Sequence, residues 1–219
     1  MKKLDKNNIF GDYLQSTHYV DKVIGEFIED LKVKGLYENS IIVIYGDHFG
    51  LSVYDDSFYK NVSNFLGYDY DYEDMMNIPL LIHIPGEDIN EQPENNGGQV
   101  DLMPTILNLM GIQNINPYIY GHDLLNTDNN FVLEQMYMPR GSFIKDDIMF
   151  CMSEDGIFEN GRAWNRITKE PVDVESCRKD FERVYKEIEQ SNYILKKDLY
   201  KEVLKGKTGK SIELENKDF

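Results

Sequence analysis

The sequence predicts a mixed α/β chain, with helix-flanked strands in its first part and a small antiparallel sheet plus a long helix in its last. Three observations carry that expectation. Helical apolar spacing over residues 12–34 leads through a short loop into a β-branched run at 41–46. A second apolar run at 79–84 alternates and is closed by Pro85-Gly86. Two strand-like runs, 131–137 and 148–152, precede a helical stripe that starts at about residue 174.

In the first helix, Tyr13, Thr17, Val20, Ile24, Phe27 and Leu31 recur at helical spacing, and Gly35 is the expected stop. His18, Asp21 and Lys22 fall off that stripe and read as a solvated face. Helix, short loop and strand form half of a βαβ unit whose leading strand would lie upstream. The strand at 41–46 reads as buried.

Residues 51–76 are aromatic and acidic and read as a solvated loop, part of a rim above whatever the 41–50 segment holds. Asp69, Asp71 and Glu73 alternate within it, which hints at calcium. The EF-hand pattern fails, because position six lacks Gly and position twelve is Leu80.

In the strand at 79–84, Leu80, Ile82 and Ile84 share one face, and Leu81 and His83 the other. His83 is either a core histidine hydrogen-bonded to a neighbour or a residue that reaches the site and binds substrate. Residues 86–99 are rich in Gly, Pro and Asn and form a loop. Asp101 is expected to cap a helix at 101–110, with Pro104 tolerated in the first turn and Gly111 ending it. A polar side chain near its start could also face the site.

Residues 156–164 read as a hairpin or loop, with Trp164 an anchor in the small core. Asp173 can cap the last helix, from about residue 174 to 204, whose apolar stripe is Cys177, Phe181, Val184, Ile188, Leu195 and Leu199. The stripe needs a partner surface, and the antiparallel sheet is the candidate. The polar last dozen residues are expected to fray.

Composition narrows the partners. A net charge of −16 argues against nucleic acid or an anionic membrane surface as a direct partner. An anionic substrate would need a metal or a local basic pocket. No apolar run approaches the length needed to span a bilayer, and the opening residues do not read as a signal peptide. Cys151 and Cys177, the two cysteines, do not form a metal-type pair.

The segment with most chemical content is Ile-Ile-Val-Ile-Tyr-Gly-Asp-His-Phe-Gly at 41–50. In open α/β sheets, chemistry sits just beyond the carboxyl ends of the strands. A carboxylate and an imidazole placed there, Asp47 and His48, suit a divalent metal. The bland alternative is a turn-capping Asp beside an exposed His. No glycine-rich phosphate loop, CxxC pair or Gly-x-Ser-x-Gly elbow occurs.

Residues 13–50 resemble the lipoteichoic acid synthase and phosphoglycerol transferase family, a branch of the sulfatase-like alkaline phosphatase superfamily. NIPLLIHIPG (77–86), GGQVDLMPTILNLMGI (97–112) and YGHDLLN (120–126) resemble it in the same order, with a fainter echo in RGSFI (140–144). The resemblance implies a partial alkaline-phosphatase-like sheet flanked by helices over residues 1–130, followed by a small α+β subdomain over 131–219. It implies that Asp47 and His48 are two metal ligands. Manganese or magnesium would be the favoured ion, with zinc and calcium as alternatives.

By the same resemblance the nucleophilic Thr, a first acidic ligand and most substrate-binding residues belong upstream. Thr17 falls inside a helical pattern and cannot serve. The chain is therefore expected to be the C-terminal portion of a larger enzyme, inactive alone. That enzyme would be tethered at the extracellular face of the membrane and would act on phosphatidylglycerol or a glycerophosphate polymer. An arylsulfatase-type hydrolase shares the Asp-His loop, and a non-catalytic binding module could keep the same fold. Before RGSFI the family more usually carries Arg-Asn-Gly, so Tyr137-Met138-Pro139-Arg140 is a departure that removes the basis for a role of Arg140 by analogy.

Overall fold

The computed structural model describes residues 9–112, 121–128, 130–133 and 137–199. The chain divides into two compact units, Met1–Asn90 and Glu91–Phe219. The division expected at residue 130 thus differs from the grouping by contact. The second unit includes the segment 95–101, which leans on the C-terminal sheet. Asn96 donates to the Asp146 carbonyl at 2.8 Å, and Arg166 donates to the Asn96 side chain at 2.6 Å.

In the first unit α1 spans Ile9–Val33 and ends, as expected, at Gly35, whose φ of +67° suits the left-handed stop. Its apolar stripe matches the predicted one only in part, at Ile24 and Leu31. Ile24, Ile28 and Leu31 are half-buried, whereas Tyr13, Val20, Val23 and Phe27 are exposed. The Thr17 hydroxyl donates to the Tyr13 carbonyl at 3.0 Å inside the helix.

Strand β1, Ile42–Tyr45, pairs antiparallel with β2, Leu80–His83, in a two-stranded sheet. The register sets Ile42 against His83 and Tyr45 against Leu80. The expected burial of β1 does not hold: Ile42, Val43 and Ile44 are half-buried, and Tyr45 is exposed.

Residues 51–76 correct the loop reading. They fold into α2, Asp56–Leu66, and α3, Tyr72–Met76, and supply most of this unit's core. Leu51, Val62, Tyr70 and Met75 are buried together with Phe10 of α1. Asp55 caps α2 by accepting from the Ser57 and Phe58 amides, and Asp71 and Asp74 form a reciprocal capping box on α3. Asp71 is therefore committed to a helix end rather than to a calcium ion.

The second unit opens with α4, Leu102–Leu109. Asp101 does not cap it in the expected way. Its buried carboxylate reaches back to the Gly98 amide and across to the His122 amide, both at 2.7 Å. Thr105, also fully buried, donates to the Asp101 carbonyl at 2.7 Å and accepts from the Leu124 amide at 3.0 Å. These bonds stitch the block at 97–112 to the block at 120–126.

Five strands follow in a meander: β3 Phe131–Leu133, β4 Phe143–Lys145, β5 Ile148–Cys151, β6 Arg162–Asn165 and β7 Pro171–Val172. All neighbours are antiparallel, as expected for this part. Cross-strand partners share a face, so Leu133, Phe143, Phe150, Ala163 and Val172 form one row. Three of them, Phe143, Phe150 and Ala163, are buried with Val184 and Ile188 of α5, Arg178–Lys196. Trp164 alternates onto the opposite face and stays half-buried, so Ala163 takes the core place expected of the tryptophan.

Asp173 does cap the approach to α5, accepting from the Glu175 amide at 3.1 Å. The helix is shorter than predicted. It ends at Lys196, Ile194 rather than Leu195 continues the buried stripe, and Leu199 lies beyond it. Arg140 forms an ion pair with Glu189 of α5. Ser142 is fully buried, donating its hydroxyl to the Pro139 carbonyl and accepting from the Met152 amide. The RGSFI block is thus built into the packing of this sheet.

Candidate functional site

The Asp47-His48 loop leaves β1 between two glycines, each with a close neighbour. A Cβ on Gly46 would stand 2.9 Å from the Ile78 Cβ, and one on Gly50 would stand 2.4 Å from the Tyr13 hydroxyl. The Gly46 amide donates to the Pro79 carbonyl at 3.0 Å, which extends the strand pairing by one bond. Phe49 packs against the core that holds Leu51, so the loop turns its two polar residues the other way.

Beyond Gly50 the loop is tied down again. The buried Tyr70 hydroxyl donates to the Leu51 carbonyl at 2.9 Å. Burial first, then the nearby Asp74 carboxylate, pushes the Tyr70 phenol up to about 12. The Val53 amide approaches the Met75 sulfur at 3.4 Å. Asp47 and His48 therefore sit on a short segment anchored at both ends.

Between those anchors Asp47 and His48 are exposed, their side chains keeping 85% and 71% of their surface. The structure brings them together just past the carboxyl end of β1, with His48 Nε2 at 3.8 Å from Asp47 Oδ1. His48 Nδ1 lies 2.6 Å from the Phe49 carbonyl, which can only accept. Nδ1 therefore carries a hydrogen, and Nε2 faces the carboxylate. That is the way metal-bound histidines are usually oriented, the second nitrogen donating to a carbonyl.

The donor set, one anionic oxygen and one imidazole nitrogen, fits a divalent cation. It is incomplete as a closed site. Among the described residues no group of three or more His, Cys, Asp or Glu is placed to hold a metal ion.

His83 is not brought to this loop. The antiparallel register sets it opposite Ile42, at the far end of the sheet from Gly46. Four residue steps at about 3.4 Å each put it roughly 14 Å along the strand from the level of Gly46. Its ring stacks on Tyr37 with centroids 4.0 Å apart, and its buried Nε2 has no hydrogen-bond partner among the described residues. The hydrogen-bonded core histidine of the first sequence alternative is not what the position shows.

The supporting residues Tyr13, Tyr70 and Phe49 escaped the sequence reading. Gly46 and Gly50 could have flagged them, since paired glycines around two polar residues signal close neighbours on both sides.

A family model described as Sulfatase matches residues 2–112. The lipoteichoic acid synthases of Staphylococcus aureus strains USA300 and NCTC 8325 / PS 47 are each 35% identical over 189 residues, covering 86% of this chain. That match covers only 28% of each relative, so the chain spans little more than a quarter of their length. The crystal structure of the lipoteichoic acid synthase LtaP from Listeria monocytogenes superposes with a TM-score of 0.78 at 30% identity. The superposition covers 89% of this chain and 49% of that one.

Proposed function

The chain belongs to the sulfatase family, and from that membership we propose that it is the Asp-His metal-ligating portion of a metal-dependent phosphoglycerol transferase. Its substrate class would be a glycerophosphate ester such as phosphatidylglycerol or the end of a glycerophosphate polymer. The similarity to the lipoteichoic acid synthases supports this class over an arylsulfatase-type hydrolase.

One observation carries the reading: His48 Nε2 and Asp47 Oδ1 face each other past β1, with His48 Nδ1 held by the Phe49 carbonyl. Asp47 contributes an oxygen, and His48 its Nε2, whose direction the Phe49 carbonyl sets through Nδ1. A divalent ion bound there, manganese or magnesium by preference, supplies a Lewis acid that polarises a phosphoryl oxygen and lowers the pKa of an attacking hydroxyl. That hydroxyl comes from outside the described residues. Thr17 donates its hydroxyl within α1 and is not placed to act.

The intact enzyme in this reading works at the extracellular face of the membrane. No described helix is long and apolar enough to cross one.

The test is manganese binding by the chain itself, read by electron paramagnetic resonance or calorimetry. Two protein ligands predict weak binding, on the order of 0.1–1 mM, that disappears in both Asp47→Ala and His48→Ala. Binding that is unchanged in both variants overturns the assignment.

A further inference from the structure

Trp164 is the one tryptophan of the chain, and the sheet does not take it into its core. It lines a shallow groove of about 360 Å³ at the β6–β7 edge of the second unit, within the size range of small-molecule sites. Arg162 of β6 and Lys169 of the connecting turn line the same groove, and Pro171, Val172 and Val174 add apolar wall. No lining residue is acidic. The groove thus opposes the charge of the whole chain, in which carboxylates outnumber basic groups by 39 to 23.

The turn presents its lysine against the preference of the backbone. The Asn165 side-chain oxygen accepts from the Ile167 and Thr168 amides, both at 2.9 Å, and the Asn165 carbonyl accepts from the Lys169 amide at 2.8 Å. Lys169 is thereby held at φ +58°, in the left-handed region that glycine and asparagine enter far more readily. Its side chain is exposed, so packing does not ask for a lysine there. A long cation on a strained backbone at the rim of a groove points to work for its side chain.

We infer that this groove binds the ring of a sugar that carries a carboxylate, such as a uronic acid. An indole supplies a flat, electron-rich face against which the C–H face of a pyranose packs. Arg162 and Lys169 supply the charge complement, the guanidinium as a fork suited to a carboxylate and the ammonium as a point charge. The indole separates this ligand from a glycerophosphate strand, which has charge but no ring to stack. Net charge separates it from a long polyanion, which the remainder of the chain would repel. The inference goes beyond the phosphoglycerol transferase reading and does not rest on it: every residue involved lies in the second unit, whereas Asp47 and His48 lie in the first.

The experiment titrates the chain with methyl β-glucuronide, methyl β-glucoside and glycerol 3-phosphate and follows the fluorescence of Trp164, which no other tryptophan obscures. The expected result is a saturable change with the glucuronide in the millimolar range. The glucoside, which differs only in lacking the carboxylate, should bind at least about tenfold more weakly, as loss of a charge-assisted hydrogen bond predicts. Arg162→Gln and Lys169→Asn should each weaken glucuronide binding by a similar factor. Lys169→Asn is the deciding variant. Asparagine suits the left-handed position, so the melting midpoint should hold or rise while binding falls. Four results overturn the inference: no saturable change, equal binding of glucoside and glucuronide, glycerol 3-phosphate bound as tightly as the glucuronide, or a Lys169→Asn variant that binds like the wild type. The third would mark a site for charge alone, and a lowered melting midpoint in Lys169→Asn would mark the lysine as structural and overturn its role as a ligand-binding residue.

Discussion

Val184 on α5 and Phe27 on α1 are both apolar residues at helical spacing on long helices, yet Val184 has no exposed surface and Phe27 keeps 55% of its own. The difference runs through the two units. In the second, a row of aromatic and small residues on five strands meets the stripe of α5, and each supplies the other's missing face. In the first, Phe10, Leu51, Val62, Tyr70 and Met75 close a core beneath the Asp-His loop, while the two strands and the outer side of α1 stay open. A core therefore forms where the loop must be held, and apolar surface remains outside it.

The largest expected effect tests that contrast directly. Val184→Asp places an unpaired charge among Phe143, Phe150 and Ile188 and should cost about 4 kcal/mol or unfold the unit. Phe27→Asp should stay within about 0.5 kcal/mol in the isolated chain, as surface changes do. Denaturant unfolding checks both. A loss of more than about 2 kcal/mol for Phe27→Asp would mean that α1 is already covered, and the comparison would collapse.

Next in size is Asp101→Ala. It strips the Gly98 and His122 amides of a buried acceptor, and one buried group left unsatisfied costs about 1–3 kcal/mol. Asp47→Ala, by contrast, removes an exposed carboxylate and should leave stability within about 0.5 kcal/mol. Two aspartates that the sequence presents alike are thereby separated: one holds structure and the other is available for chemistry. Comparable losses for the two would mean that Asp47 is structural.

Much of this was legible from the sequence, for reasons that differ by element. β1, β2 and α5 were readable because apolar period and bounding residues agreed: Pro85-Gly86 after β2 and Asp173 before α5. The placement of Asp47 and His48 just past a strand was readable from the abrupt change after Tyr45. Helices α2 and α3 were missed because their acidic and aromatic composition suggested a solvated rim. Their caps, Asp55, Gly67 and Asp71, were present, and in α2 Phe58, Val62 and Phe65 recur at helical spacing, so a helical signal was there beneath the polar composition. The short strands β4, β6 and β7 give too few residues for a period to show. The exposed sheet could not be read at all. Sequence reports which side chains want burial, and only the structure reports which of them find a partner.

The smallest expected effect concerns how the Asp-His loop is held. Tyr70→Phe removes the hydroxyl that donates to the Leu51 carbonyl and should cost about 1 kcal/mol near neutral pH. Its pH dependence is more diagnostic than its size. In the unfolded chain a tyrosine ionises near 10, whereas buried Tyr70 holds its proton to about 12. Between those values the unfolded state binds fewer protons than the folded one, so stability falls as pH rises. The contribution is whole below pH 10 and gone above about 12. The wild-type curve should therefore drop more steeply across that window than the Tyr70→Phe curve, and the latest-ionising fraction of the phenolate absorbance should vanish in the variant. Should the two curves run parallel from pH 9 to 12, Tyr70 is not sealed beneath the loop. The firm anchoring of Asp47 and His48, which sets the closed part of unit 1 apart from its open sheet, would then be lost.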